Sequence, residues 1–306
     1  MGSCHFLAKK LLYYTSKHIL HLLLGIYQIM NSFIGSLPRI DTAGVRELLT
    51  LADPVTNDVE VVLDGLQDPL LGADRTYFAS LARNFEDMGQ PEMAEQLRRL
   101  GMNGFPENYE PFMPDIRLHS GDLVIDRLDV ECDLLIVDGN VMVRGALVSN
   151  HSHDAGAIVA LGHVKTQSAI VLGGLIVRGN LDAEHVYANS LNDCALIVGG
   201  NAQMQSLAEF GSYVEIHGDL TCAVAISTHN KIKVHGKTNI GNFQNRVQAE
   251  PYRFRGLLKE ELITTQSIAD GATTYSETDN VAYDTIDEEA YRTLLGAGRS
   301  PLLNGL

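Results

Sequence analysis

Cysteine is scarce in this chain. Cys4, Cys132, Cys194 and Cys222 are the full set of four in 306 residues, far apart and without a CxxC pair. A zinc site built on thiolates needs clustered ligands at short spacing, so that class is excluded. Three of the four lie in apolar, strand-like runs, which predicts buried free thiols in a reducing cytosol. Tryptophan is absent. No segment is basic: acidic and basic residues number 14 and 5 over 41–110, 14 and 9 over 115–246, and 10 and 5 thereafter. The formal net charge is −15. A phosphate-tracking nucleic-acid surface is therefore not expected, and neither is affinity for anionic membranes. GxSxG, P-loop and HExxH patterns are also missing.

A long uninterrupted apolar run is lacking too. Lys9, Lys10 and Lys17 precede an apolar stretch over 19–30, but His21 and Gln28 break it and no small-x-small cleavage pattern follows. A spanning helix needs about 20 predominantly apolar residues. Residues 1–29 read as a membrane anchor, as an interfacial helix, or as sequence upstream of a true start at Met30. The last is the preferred expectation, and membrane contact is expected only if the segment is real.

Residues 30–104 carry helical periodicity. Thr42 with Val45, Leu48, Leu49 and Leu51 gives a helical apolar face after a plausible N-cap. Phe78, Leu81, Ala82 and Phe85 follow a helical period over 76–89. Pro91 opens a further helix that Gly101 is expected to stop. Residues 105–115 hold three prolines and read as a linker.

Beyond Asp115 a short phrase returns: apolar, x, Gly, polar, apolar. Its glycines are Gly121, Gly139, Gly162, Gly179, Gly200, Gly218 and Gly236, a nearly regular series along the chain. Such a period marks stacked coils. Each interval holds two or three short runs rich in Val, Ile and Leu, separated by Gly, Asn and Asp. The expected fold over 116–243 is mainly β: a single-stranded β-helix, or β-solenoid, of three faces and about seven coils, flanked by helical segments. At about 4.8 Å per coil the rod is on the order of 34 Å long. Positive φ at corners is the expected reason for the glycines. Val141, Val143, Ile176, Leu196, Ile197 and Ile216 are candidate core residues.

The phrases SGDLVID at 120–126 and VDGNVMVRGAL at 137–147, echoed by VRGNL and IHGDL, resemble the bactofilins, polymer-forming bacterial cytoskeletal proteins. The texture is also similar to the C-terminal domain of the MinC division inhibitors. The likeness spans the solenoid segment, well under half the chain. It implies a right-handed solenoid and a non-enzymatic scaffold that assembles without nucleotide, in the cytoplasm of a bacterium. The chain departs from that pattern in its helical segment before the solenoid and in residues 244–306 after it. The latter read as a capping or docking segment, with an amphipathic helix after Pro251 and a second over 287–295. Covered ends imply a monomer or small closed oligomer that binds a protein partner along the sides of the rod.

No catalytic, cofactor-binding or metal-binding residue is assigned from the sequence, and no cofactor is expected. His151 and His153, beside Asp154 and one loop from His163, could hold a divalent ion, but they read first as polar residues of a long, irregular coil. His217 and His235 each precede a marker glycine in consecutive coils, so they should stack. His119, His185 and His229 are scattered. Asp126, Asp129, Glu131 and Asp133 have no equally acidic run one coil later, as a lyase-type solenoid would need. A hexapeptide acyltransferase is the enzymatic alternative. It needs a strict six-residue apolar period, and the unequal steps from Gly139 to Gly162, Gly179 and Gly200 stand against it. An accessory or immunity protein of a bacterial toxin locus is another.

Overall fold

The computed structural model describes residues 33–49, 55–66, 75–103, 113–130, 132–149, 156–190, 194–245, 254, 256–267 and 282–303. The chain divides into two compact units, residues 1–32 with 63–114 and residues 33–62 with 115–306. The boundary therefore differs from the helical subdomain expected over 30–104, because residues 33–62 belong with the solenoid. The apolar stretch before Met30 lies outside the described residues. No described helix is long and apolar enough to cross a membrane.

In the first unit the helices Arg75–Asp87 and Pro91–Asn103 pack through Phe78, Leu81, Ala82, Phe85, Ala94 and Leu97. Gly101 does not stop the second helix. A Cβ there would sit 2.8 Å from the Cβ of Phe78, so the glycine lets the two helices approach.

The second unit is a parallel β-solenoid. One sheet stacks seven short strands in chain order: Ile116–Ser120, Leu134–Asp138, Ala157–Ala160, Leu175–Val177, Ala195–Val198, Tyr213–Ile216 and Ile232–Val234. The other stacks Leu123–Ile125, Val141–Ser149, Val164–Val171, Leu181–Asn189, Ala202–Phe210, Leu220–Ser227 and Thr238–Asn245, with Leu128–Val130 also pairing Val141–Ser149. Three faces come from two sheets because each long strand turns a corner midway. Leu181 and Ala183 face the core, and so do Val186 and Ala188, so the alternation slips by one between them. Pairing skips Gln167, Glu184, Gln205 and Ala223 at this corner. Val141, Val143, Leu196 and Ile216 join the inner core, whereas Ile176 and Ile197 point outward and are buried nonetheless.

The marker glycines owe little to positive φ, which only Gly121 among them shows (85°). They are required by stacking. A Cβ on Gly139 would overlap the backbone of Gly121, and one on Gly218 would lie 2.6 Å from that of Gly200. The next residue carries the complementary device. Backbone N–H groups of Asn140, His163, Asn180, Asn201, Asp219 and Lys237 donate to the side chains of Asp122, Asn140, His163, Asn180, Asn201 and Asp219, at 2.7–2.9 Å. A side-chain ladder thus runs up one corner and stops at Lys237, whose ammonium has no acceptor to offer a further coil.

The first coil's edge is covered. Ile40 N–H donates to Ile116 O and Leu118 N–H to Pro38 O, both at 3.1 Å, and Ile34 enters the core. Asp41 caps the helix Thr42–Leu48 by accepting from Gly44 N–H at 2.7 Å. The C-terminal segment covers a flank of the rod. Phe254, Leu257, Leu258, Leu262, Tyr291, Leu294, Leu295 and Leu302 pack on Ile170, Tyr187, Ala208, Phe210, Val224 and Ile226, the outward residues beyond the corner. Among the described residues nothing lies over the last coil, where Phe243 is 44% exposed. Of the two expectations for this segment, capping or docking, the described part docks on a flank: the outer row beyond the corner is itself apolar, and it demands the cover. The helix expected after Pro251 is replaced by a short 3₁₀ turn, Glu260–Leu262, leading into an antiparallel pair, Ile263–Ser267 with Ala282–Ile286. The second helix forms at Glu288–Gly296, capped by Asp287.

Candidate functional site

The outward row of the short-strand sheet changes character along the rod. Ile136, Val159, Ile176 and Ile197 are aligned and 0–3% exposed. The next two positions in register are Glu215 and Lys233. Period-2 geometry puts Tyr213 and His217 on the same face as Glu215, and His235 on the face of Lys233.

These residues converge. Glu215 is 8% exposed. Its Oε1 accepts from Lys233 Nζ at 2.6 Å and meets His235 Nε2 at 2.5 Å. Its Oε2 accepts from the Tyr213 hydroxyl. Burial pushes the carboxyl pKa up, but the hydrogen bonds from Lys233, Tyr213 and His235 outweigh it and hold it at about 2. The His217 and His235 rings stack with centroids 4.7 Å apart and planes within 1°, as their spacing predicts. The His217 Nε2 is sealed from solvent and finds no hydrogen-bond partner among the described residues. Asp58, in the helix Thr56–Leu66, shares the same electrostatic neighbourhood. Its pKa is raised by burial and then by the Glu215 charge, against the pull of His217 and Lys233.

The other residues singled out in the sequence fall elsewhere. His151, His153, Asp154 and Glu131 lie outside the described residues. His163 serves the corner ladder. His119 Nε2 is 3.2 Å from Asp122 O, and His229 meets Thr228 Oγ1 at 2.8 Å. His185 is 2% exposed beneath the C-terminal segment, with Nδ1 2.9 Å from Ser206 Oγ. Burial, then the Lys259 charge, pull its pKa down to about 4. The acidic run is structural: Asp126 pairs with Arg144, Asp129 with Arg127, and Asp133 accepts from Asp115 N–H. Cys132 and Cys222 are buried, and burial raises both thiols, to about 12 and about 11. The sequence reading paired the two histidines and missed Glu215. The signal was available, because Tyr213-x-Glu215-x-His217 and Lys233-x-His235 alternate in register from one coil to the next.

The outer faces meet different fates. The row before the corner, Val124, Met142, Lys165, Asp182, Gln203, Thr221 and Asn239, is exposed throughout. The row beyond it is covered by the C-terminal segment. On the short-strand sheet the outward apolar row is buried, and Val55 of the N-terminal segment lies against Gly199. Comparison with known proteins finds no matching family model, no matching curated protein and no matching solved structure, so the reading of these surfaces rests on their own geometry.

Proposed function

We propose that the chain is a non-enzymatic scaffold of the bactofilin-like type that binds protein along one open face of its rod. The observation that carries this reading is the unequal treatment of the outer faces. The outward row beyond the corner and that of the short-strand sheet up to Ile197 are apolar and buried, whereas the row before the corner, apolar at Val124 and Met142 and polar from Lys165 to Asn239, is left exposed on a stacked, rigid framework. A solenoid keeps such side chains at a fixed spacing of about 4.8 Å per coil, which suits recognition of an extended partner. The same face reaches the strand Thr238–Asn245, whose outer edge is unpaired among the described residues and can accept a further strand. Lys231, Lys233 and Lys237 crowd the last coil. Their like charge opposes stacking of two such ends, and the first coil's edge is already paired, so a monomer or small closed oligomer is the expected state. A cytoplasmic location fits the free thiols.

Photo-crosslinking in the native cell tests this. A crosslinker at Gln203 or Asn239 should capture one discrete protein, or a second copy of this chain, while one at buried Leu258 should not. Absence of any adduct from the open face would remove the proposed binding surface.

A further inference from the structure

We propose that Glu215, His217 and His235 bind a divalent transition-metal ion, with zinc the best fit, clamping the last coil of the solenoid to the one before it. One ligand atom from each residue lies within 4.8 Å of those of the other two. Two imidazoles and a carboxylate are a familiar donor set for zinc, with bonds of about 2.0–2.2 Å and a fourth position left for water. Ligand atoms on one ion stand roughly 3–3.5 Å apart at such bond lengths. The required closure is thus on the order of an ångström, with one of the two parallel imidazoles turned out of the stack so that both lone pairs meet the ion, and the two coils differ in how much they can move. Glu215 is held: it is 8% exposed, and Tyr213 fixes its Oε2 as an outer-shell hydrogen-bond partner does at metal sites. His235 is exposed and can adjust.

The second, independent observation is the Nε2 of His217. A ring nitrogen sealed from water without a partner is costly in a polar cluster, and coordination through Nε2 would give that nitrogen its partner. Lys233 is the competitor. Its ammonium, on a side chain 51% exposed, sits on the Glu215 oxygen that the ion would take. In the metal-bound state Lys233 swings into water, and its positive charge no longer opposes the ion at close range.

The competition makes the proposal specific. Zinc titration by calorimetry on the chelator-treated full chain should show a site of about one equivalent. His217→Ala and Glu215→Gln should each weaken that site at least tenfold. Lys233→Met should tighten it severalfold. Zinc should also raise the melting temperature of the parent chain and of Lys233→Met, but not of His217→Ala. His235→Ala, at an exposed position, guards against loss of binding through misfolding: it should melt near the metal-free parent and lose the site. If zinc does not bind, or binds equally to parent, Glu215→Gln and His217→Ala, the proposal is overturned. Unchanged or weaker binding by Lys233→Met would place any ion away from the Glu215 carboxylate and overturn it equally.

Discussion

The side chain of Asn201 accepts a hydrogen bond from the backbone N–H of Asp219 at 2.8 Å, one coil on and directly beside the contact of Gly218 with Gly200. That pair of contacts is the unit from which the repeated Gly-Asn and Gly-Asp phrase is built. Glycine removes the Cβ so that coils can stack at sheet spacing, and the following side chain satisfies an N–H that the corner leaves unpaired.

Gly218→Ala should therefore destabilise the solenoid by about 1–3 kcal/mol, because its Cβ would press on the Asn201 Oδ1 and sit 2.6 Å from the Gly200 backbone. Gly296→Ala is the control. Its Cβ meets only an arginine nitrogen at 3.9 Å, and the residue ends a helix without positive φ. It should be neutral or stabilise by up to about 1 kcal/mol. Urea unfolding of both variants checks the contrast.

Glu209 is fully buried yet charge-compatible, because donors surround it. Gly211 N–H reaches Oε1 at 2.6 Å, while Oε2 accepts from Ser227 Oγ and from the N–H groups of Thr228, His229 and Asn230 at 3.0–3.2 Å. Glu209→Ala should cost about 3–5 kcal/mol by orphaning several buried donors of the next coil. Glu209→Gln, which presents an amide NH₂ to donors, should be nearly as harmful. Hydrogen exchange should show early loss of protection at 227–230.

Acidification should weaken the fold in two steps. His185 is neutral in the folded chain down to about pH 4, whereas an unfolded histidine titrates near 6.5. Between those values the unfolded state binds one more proton, so stability rises with pH by up to about 1.4 kcal/mol per unit. The contribution is complete above pH 6.5 and lost as pH falls toward 4. Glu215 has a depressed pKa of about 2 against 4.5, so its share is complete above 4.5 and lost below. Melting temperatures of His185→Gln should lose the first slope and keep the second.

Truncation after Asn245 should expose Tyr187, Phe210, Val224 and Ile226 together. The shortened chain should bind a hydrophobic dye strongly and associate through its flank. If the segment were an end cap, truncation would yield end-to-end filaments and little dye binding. Light scattering and electron microscopy distinguish the two.

The solenoid was legible in the chain because its period is covalent. Gly200, Gly218 and Gly236 recur at a constant step, and stacked coils bring such residues together whatever else the molecule does. The histidine stack follows from the same arithmetic. Spacing alone could not say that Ile176 and Ile197 point outward under cover while Leu196 points inward. Outward and inward apolar residues look alike in sequence, and parity slips by one at a corner that no glycine or proline marks at Glu184 or Gln205. The placement of Leu257, Leu262 and the helix Glu288–Gly296 was also beyond reach, since an amphipathic segment carries no label for the face it covers. The Glu215 cluster lies between these cases. Its members were fixed by register, but their convergence on one carboxylate, with a histidine nitrogen left unpartnered, depended on the side-chain geometry that only packing of the last two coils decides.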